Sequence, residues 1–292
     1  MLSPPPDTAW DGQASQDELM HKDCCALVDE RDNIVGHATK WDVHRFEGAT
    51  PRGQLHRAFS AFLFDGDGRL LLQRRAASKI TFPGVWTNTC CSHPLAGFTP
   101  SELDTAGEVL AGRAPGAARA AVRKLHHELG VPPAQMPLSA FKFLTRLHYC
   151  APDTQTHGAH SPWGEHEMDY ILCARLPNIT LDPNPEEVSE TRWVTQKELE
   201  QMMAPQSGLF WSPWFRIIAQ RLLPRWWVRY HPRCGALRLV AWLTNARRRI
   251  WTSRSTATRL WTLLPYTPSC EVRASETSAG ASVCAPAEGG QR

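Results

Sequence analysis

The apolar positions fall in short blocks whose period switches along the chain. Cys24, Ala26, Leu27 and Val28, then Ile34 to Ala38, flank the polar run Asp29 to Asn33, which predicts a β-hairpin. Ala58 to Phe64 is apolar almost throughout and predicts a buried strand, Asp65-Gly66-Asp67-Gly68 a tight turn, and Arg69 to Arg74 its partner strand. Another short strand precedes Cys91. From Leu95 to Gly116 neither period is sustained and Gly, Pro, Ser and Thr dominate, so a long surface insertion is expected. Ala117 to Leu129 changes to a helical spacing, with Ala118, Ala121, Val122 and Leu125 on one face and Gly130 then Pro132-Pro133 as the stop. Strands are predicted over Phe141 to Tyr149, Met168 to Ala174 and Thr191 to Val194. Thr195 with Glu198 is a capping-box start, and Ser212-Pro213 opens a helix running through Ile217-Ile218 toward Trp227. Strands dominate and helices come singly, so the fold class is α+β, a mixed sheet with helices packed on it.

The ends look different. Residues 1–22, with Pro4-Pro5-Pro6 and no period, predict no regular structure, so the folded domain is expected over 23–228. Residues 229–292 form an extension: Gln201 to Cys270 lacks Asp and Glu, and arginines from Arg229 to Arg259 interleave with Trp242, Trp251 and Trp261. Such a stretch suits weak contact with an anionic membrane surface, or with nucleic acid; a poorly ordered lineage-specific or aberrant extension is the competing and favoured reading. After Pro268 the composition predicts disorder.

Composition narrows the function little. A formal charge of +3 over 292 residues is too small an excess for a globally basic nucleic-acid binder, so no nucleic acid is expected as partner. Nine cysteines, with adjacent pairs at Cys24-Cys25 and Cys90-Cys91, do not read as a secreted disulfide framework. The first twenty residues carry Asp7, Asp11, Asp17 and Glu18 but no Arg, and no apolar run suits a leader or a membrane span. A cytoplasmic location is expected, an organelle not being excluded, and a monomer.

Chemistry enters at two segments. Arg123-Lys124-Leu125-His126-His127-Glu128-Leu129-Gly130-Val131 resembles the second half of the Nudix box, with Lys124 and His127 where carboxylates usually stand. Glu128 in the last turn suits a divalent cation held against a diphosphate. Taken alone, the segment also reads as an ordinary amphipathic helix. The second segment is more specific: Arg74-Arg75-Ala76-Ala77-Ser78-Lys79, then Phe82-Pro83-Gly84-Val85-Trp86, then Thr87-Asn88-Thr89-Cys90-Cys91-Ser92-His93-Pro94. With Gly53 to Phe59, Trp163 to Tyr170 and Ser212-Pro213-Trp214-Phe215, it is very similar to the metal-dependent (type 1) isopentenyl-diphosphate isomerases of the Nudix superfamily. The resemblance covers roughly residues 23 to 228.

That resemblance implies a Nudix-type mixed sheet sandwiched by helices, with an N-terminal hairpin extension. It implies conversion of isopentenyl diphosphate, a small-molecule substrate, into dimethylallyl diphosphate in isoprenoid biosynthesis. The family's catalytic cysteine falls on Cys91, its glutamate on Glu167, the assisting tyrosine on Tyr149 and the aromatic ring over the reacting carbons on Trp214. A tightly bound Zn²⁺ or Mn²⁺ would take His44, His56, His93, Glu165 and Glu167, and Mg²⁺ arriving with the diphosphate would use Glu128. Phosphate-binding positions fall on Lys40, Arg75, Lys79 and Lys124, the last where many relatives carry Arg.

The chemistry asks for the same residue types. Protonating an unactivated alkene needs a dry, positioned acid, for which a carboxyl at a metal such as Glu167 is a candidate, and a tertiary cation is stabilised by an indole face. A thiol such as Cys91 can take the departing proton. If Cys90 and Cys91 lie in a strand, only one can face the site. The competing readings are a Nudix diphosphate hydrolase, against which the replaced carboxylates weigh, and an inactive metal-bound interaction module, against which Cys91, Glu165 and Glu167 weigh.

Overall fold

The computed structural model describes residues 16–48, 50–230 and 271–275. The chain runs α1 (Gln16–Lys22), β1 (Cys24–Val28), β2 (Ile34–Thr39), α2 (Lys40–Val43), β3 (His56–Phe64), β4 (Leu70–Arg75), β5 (Trp86–Thr87) and β6 (Cys90–Ser92). It continues through α3 (Ala106–Leu110), α4 (Pro115–Leu129), β7 (Lys142–Pro152), α5 (Thr154–His157), β8 (Gly164–Arg175), β9 (Val188–Val194), α6 (Gln196–Met202), α7 (Pro213–Arg221), α8 (Leu223–Tyr230) and β10 (Glu271–Ser275). The sheet is mixed: the order is β10-β7-β8-β3-β1-β2, and β3 pairs with β8 in parallel over its whole length.

Every residue of β3 is buried because helices cover both faces of the sheet. Phe59, Ala61 and Leu63 pack under α4, while Phe62 and Phe64 pack under α7 and α8. The two-residue period of a strand therefore separates two cores, and it places His56, Ser60, Glu165, Glu167 and Asp169 on the α7 side. The α+β class and the layered mixed sheet agree with the sequence pattern.

Several boundaries differ for identifiable reasons. Residues 16–22 form a helix although the sequence predicts no regular structure there: Asp17 and Glu18 sit in its first turn, His21 and Lys22 in its last, and Met20 is buried. Residues 1–15 lie outside the described residues. Strands 58–64 and 69–74 are partners only at Phe64 and Leu70, because Asp65 accepts the N–H of Asp67 and of Arg69 and sends β4 toward β9 instead. The stretch 95–116 is not a mere surface insertion. Asp104 accepts the N–H groups of Gly116 and Ala117 at the start of α4, and Glu102 receives Arg123 at 2.7 Å, so its polar residues serve as buried caps that leave no period in the sequence. The helix predicted from Ser212 toward Trp227 breaks at Leu222, since Pro224 has no N–H and its ring would strike the carbonyl of Gln220 in a continuous helix. Beyond Pro268 the sequence predicts disorder, yet Glu271–Ser275 adds to β7 as an antiparallel strand. The arginines and tryptophans between 231 and 270 lie outside the described residues, and among those described no helix is long and apolar enough to cross a membrane.

The hairpin turn contributes a stability determinant that its sequence does not advertise. Asp32, buried at φ 69°, accepts from Arg57 Nε at 2.7 Å and Arg146 Nη1 at 2.7 Å, and from the hydroxyl of Tyr170. Removing that carboxylate strands two guanidinium groups, so Asp32→Ala is expected to destabilise by about 3–5 kcal/mol. Urea unfolding followed by circular dichroism measures it, and a loss under about 1 kcal/mol would show the ion pairs to be energetically idle.

Candidate active site

Five side chains converge at the N-terminal end of β8. His44 follows α2, His56 opens β3, His93 follows β6, and Glu165 and Glu167 are separated by one residue in β8, so they share a face while His166 turns away toward His148. All five are buried, and one ligand atom from each lies within 4.8 Å of every other. The rings of His44, His56 and His93 meet at centroid distances of 4.9 to 5.0 Å.

The hydrogen bonds around this cluster fit a cation. His44 and His56 each direct Nδ1 at a backbone carbonyl, of Lys40 and of Gln54, which fixes the proton there and leaves a lone pair on Nε2. Those lone pairs face carboxylate oxygens: His44 Nε2 is 3.0 Å from Glu165 Oε2, and His56 Nε2 is 3.7 Å from Glu167 Oε1 with no hydrogen-bond partner. A bare lone pair against a buried carboxylate is repulsive unless a positive charge lies between. Three imidazoles and two carboxylates suit a borderline or harder divalent metal. Burial, reinforced by the neighbouring His56 and His44, holds the imidazolium pKa of His93 well below its usual range, as a neutral ligand requires.

A narrow cavity of about 40 Å³ adjoins the cluster, room for only a few waters. Lys40, Arg75, Lys79, Cys91, Glu128, Tyr149, Glu167 and Trp214 line it, with Gln16 and Met20 of α1 closing one side. The sequence-derived candidates thus meet in one place, Lys124 excepted. Lys124 lies behind the wall, 3.3 Å from Glu128 and 3.4 Å from Glu187, because its side chain is drawn into a buried network with His127, Glu187 and Lys79. Burial raises the Glu187 carboxyl, but Lys124 and then Lys79 outweigh it and hold the group well below its ordinary 4.5. Its folded pKa being depressed, that network adds stability in full above the ordinary value and loses it as pH falls through the lowered one.

Cys90 packs beneath α4 and Cys91 faces the cavity, the opposite orientations that neighbours in a strand must take. Burial pushes the Cys91 thiol up, only partly offset by Arg75, whose Nη1 lies 4.0 Å from the sulfur. Glu167 goes the other way: burial opposes its charge, but the neighbouring His56, Glu165 and Tyr149 groups outweigh it and hold the carboxyl below its ordinary range. Tyr149 donates to Glu167 Oε2 at 2.6 Å. Thiol and carboxylate are therefore driven in opposite directions by this cavity, whereas the alkene chemistry read from the sequence starts the proton on Glu167.

Partners unseen in the sequence orient these groups. Thr81 donates to Glu165 Oε1 at 2.9 Å, Gln73 to Glu128 at 3.1 Å, and Trp214 Nε1 donates to Asn88 at 3.1 Å. None carries a signal beyond lying in or beside the motif runs. At the end of α4, Gly130 takes φ 64°, and a Cβ there would strike the Asp182 carbonyl, so only glycine lets this loop lock the helix turn bearing Glu128.

Fold and site together define a Nudix-type protein with a His₃Glu₂ centre, and comparison with known proteins agrees: the NUDIX domain pattern matches residues 54–214. Isopentenyl-diphosphate Delta-isomerase I of Camptotheca acuminata is 44% identical over 227 residues, 76% of this chain and 90% of that one. The isopentenyl-diphosphate delta-isomerase of Phaffia rhodozyma is 49% identical over 205 residues, covering 70% of this chain and 75% of its own. That of Schizosaccharomyces pombe is 47% identical over 210 residues, covering 70% and 84%. The chain belongs to the isopentenyl-diphosphate Delta-isomerase family.

Proposed function

We propose that this enzyme converts isopentenyl diphosphate into dimethylallyl diphosphate, within isoprenoid biosynthesis, by adding a proton to the terminal methylene carbon and removing one from the carbon next to the diphosphate-bearing methylene. The observation that carries the reading is that Cys91, Glu167 and the indole of Trp214 line one narrow cavity, with the Tyr149 hydroxyl bonded to Glu167. Protonation leaves a tertiary cation, and an indole face supplies roughly 1–2 kcal/mol of cation–π attraction, more when desolvated. Whichever of the two groups delivers the proton, the other must accept one, so both are required in either direction.

His44, His56, His93, Glu165 and Glu167 would hold a Zn²⁺ or Mn²⁺ ion, which when bound supplies charge that fixes the Glu167 carboxylate and tunes its acidity. Glu128, beside Lys124, would hold Mg²⁺ that enters with the diphosphate, and Lys40, Arg75 and Lys79 supply cationic groups for the phosphate oxygens. Lys124 then acts through Glu128 and Glu187 more than by touching substrate. The Glu128 carboxylate stands without the carboxylates that Lys124 and His127 replace, which favours isomerisation over diphosphate hydrolysis. The adjacent pairs Cys24-Cys25 and Cys90-Cys91, unlike a spaced disulfide framework, support action in a reducing compartment such as the cytoplasm.

Incubation of purified protein with isopentenyl diphosphate, Mg²⁺ and trace Zn²⁺, with products resolved by ³¹P and ¹H NMR, tests the reading. Dimethylallyl diphosphate is expected; inorganic phosphate or isopentenyl monophosphate would mark a hydrolase, and unchanged substrate an inactive module. Tyr149→Phe removes the hydroxyl that donates to Glu167 and is expected to lower turnover about 10–100-fold while leaving the fold intact. Unchanged turnover would show that the tyrosine merely packs.

A further inference from the structure

We propose that Asp153 is a positioning residue for the isomerisation: its buried carboxylate clamps Phe82 in a left-handed backbone conformation and thereby sets Glu165, Arg75 and Trp214. This inference rests on the reading of those groups as parts of the isomerase site.

Among the described residues only Asp32 and Phe82 combine a side chain with positive φ, at 69° and 47°. Asp tolerates that region, because its short polar side chain bonds locally; a bulky aromatic residue does not, and its presence marks a conformation imposed from outside. The imposing contact is identifiable. Asp153, fully buried just past the end of β7, accepts the Phe82 N–H on Oδ2 at 2.8 Å and the Thr156 N–H on Oδ1 at 3.1 Å. Its own N–H donates to the Trp163 carbonyl at 2.8 Å, anchoring the clamp beside β8.

The groups on either side of the Phe82 N–H reach the site. Thr81 donates to Glu165 at 2.9 Å. The carbonyls of Thr81 and Phe82 accept from Arg75 Nη2 at 2.8 Å and Nε at 3.0 Å, which leaves Nη1 directed at the Cys91 sulfur. The Phe82 ring meets Trp214 edge-on with centroids 5.6 Å apart. Were Phe82 to relax to negative φ, the peptide between 81 and 82 would rotate and all three contacts would shift together. Asp153 itself does not line the cavity, so its effect is through the loop. Of the three cations assigned to the phosphate only Arg75 bonds to the clamped loop, Lys79 being paired with Glu187 instead, so loss of the clamp should fall on kcat far more than on KM.

A double-mutant cycle tests the clamp. Glycine adopts positive φ without strain, so at position 82 it removes the need for a clamp, whatever activity loss of the Phe82 ring itself costs. Asp153→Asn, which leaves one acceptor for two N–H groups, is made with Phe82 present and in the Phe82→Gly background, and kcat and KM for isopentenyl diphosphate are measured. The expected loss with Phe82 is about 100-fold in kcat with KM moved less than about 3-fold. In the Phe82→Gly background the same change should cost less than about 5-fold relative to Phe82→Gly alone. Equal losses in both backgrounds would overturn the proposal, since a carboxylate that only caps the turn at Thr154–His157 is indifferent to residue 82. If Asp153→Asn folds only when combined with Phe82→Gly, as judged by circular dichroism, the coupling appears in stability and supports the clamp; if it folds in neither background, Asp153 is a fold residue and the proposal fails. The unmutated protein separates the two readings: lack of isomerisation there refutes the function, whereas an additive cycle in an active enzyme refutes only the clamp.

Discussion

Cys91→Ser and Glu167→Gln are each expected to lower isopentenyl diphosphate turnover by at least about 10³-fold while leaving the circular dichroism spectrum unchanged, because each is proposed to supply one of two separate proton transfers. The geometry gives this expectation its direction. Both groups face one cavity, yet it affects them differently: burial disfavours the charge on both, but at Glu167 its neighbours, the donating Tyr149 hydroxyl among them, outweigh burial. A serine hydroxyl in place of the thiol neither gives nor accepts a proton readily, and an amide in place of Glu167 cannot accept one at all. Cys90→Ser is the control. Cys90 is buried beneath α4 on the other face of the sheet, so it should keep most of the activity at a modest cost in stability. An inactive Cys90 variant beside an active Cys91 variant would reverse the assignment of faces.

Stripping divalent metal with a chelator is expected to abolish turnover, and adding back Zn²⁺ or Mn²⁺ together with Mg²⁺ to restore it. The larger effect is on the folded state. Two carboxylates and three imidazoles, all buried, crowd within 4.8 Å, an arrangement that costs free energy unless a cation neutralises it. A metal that binds only the folded chain stabilises it by about 2.7 kcal/mol at a free concentration one hundred times its dissociation constant, and by more as occupancy tightens. The melting temperature of the stripped protein should therefore rise with added Zn²⁺ or Mn²⁺, and His56→Ala or Glu165→Ala should flatten that response. A melting curve that ignores both metals in the unmutated protein would eliminate the five-residue centre, independent of any activity assay.

Much of this is legible in the sequence because the site is written in short runs. The chain from Thr87 to Pro94 carries Cys91 and His93 in three residues, and Glu165 and Glu167 are two apart in a strand, so period alone puts each pair on one face. What brings the runs together is the parallel pairing of β3 with β8, His56 opposite Glu167, and no local pattern encodes a register between segments so far apart. The features that the sequence hides share a cause. Asp104 caps α4, Asp32 ties the hairpin to the sheet, and Asp153 holds the loop before β5, three carboxylates whose work is to accept N–H groups or guanidinium from distant elements. A carboxylate in a polar run reads as solvated until its partners are placed. Lys124 departs from expectation for the same reason: its charge is visible, but Glu187, which draws it away from the cavity, stands 63 residues further on.

The parallel pairing of β3 and β8 also bears on how the molecule assembles. His44 and Glu165 touch across 121 residues of chain, and the loop between them must close before any ligand pair forms. Contacts of such sequence separation form late and slowly compared with helices and hairpins. The hairpin of β1 and β2 and the helix α4 can be in place while the centre is still missing, so a partly folded chain would show native secondary structure and have no isomerase activity. Recovery of activity during refolding should lag behind recovery of the far-ultraviolet signal, and the lag measures the time needed to dock the two halves of the sheet.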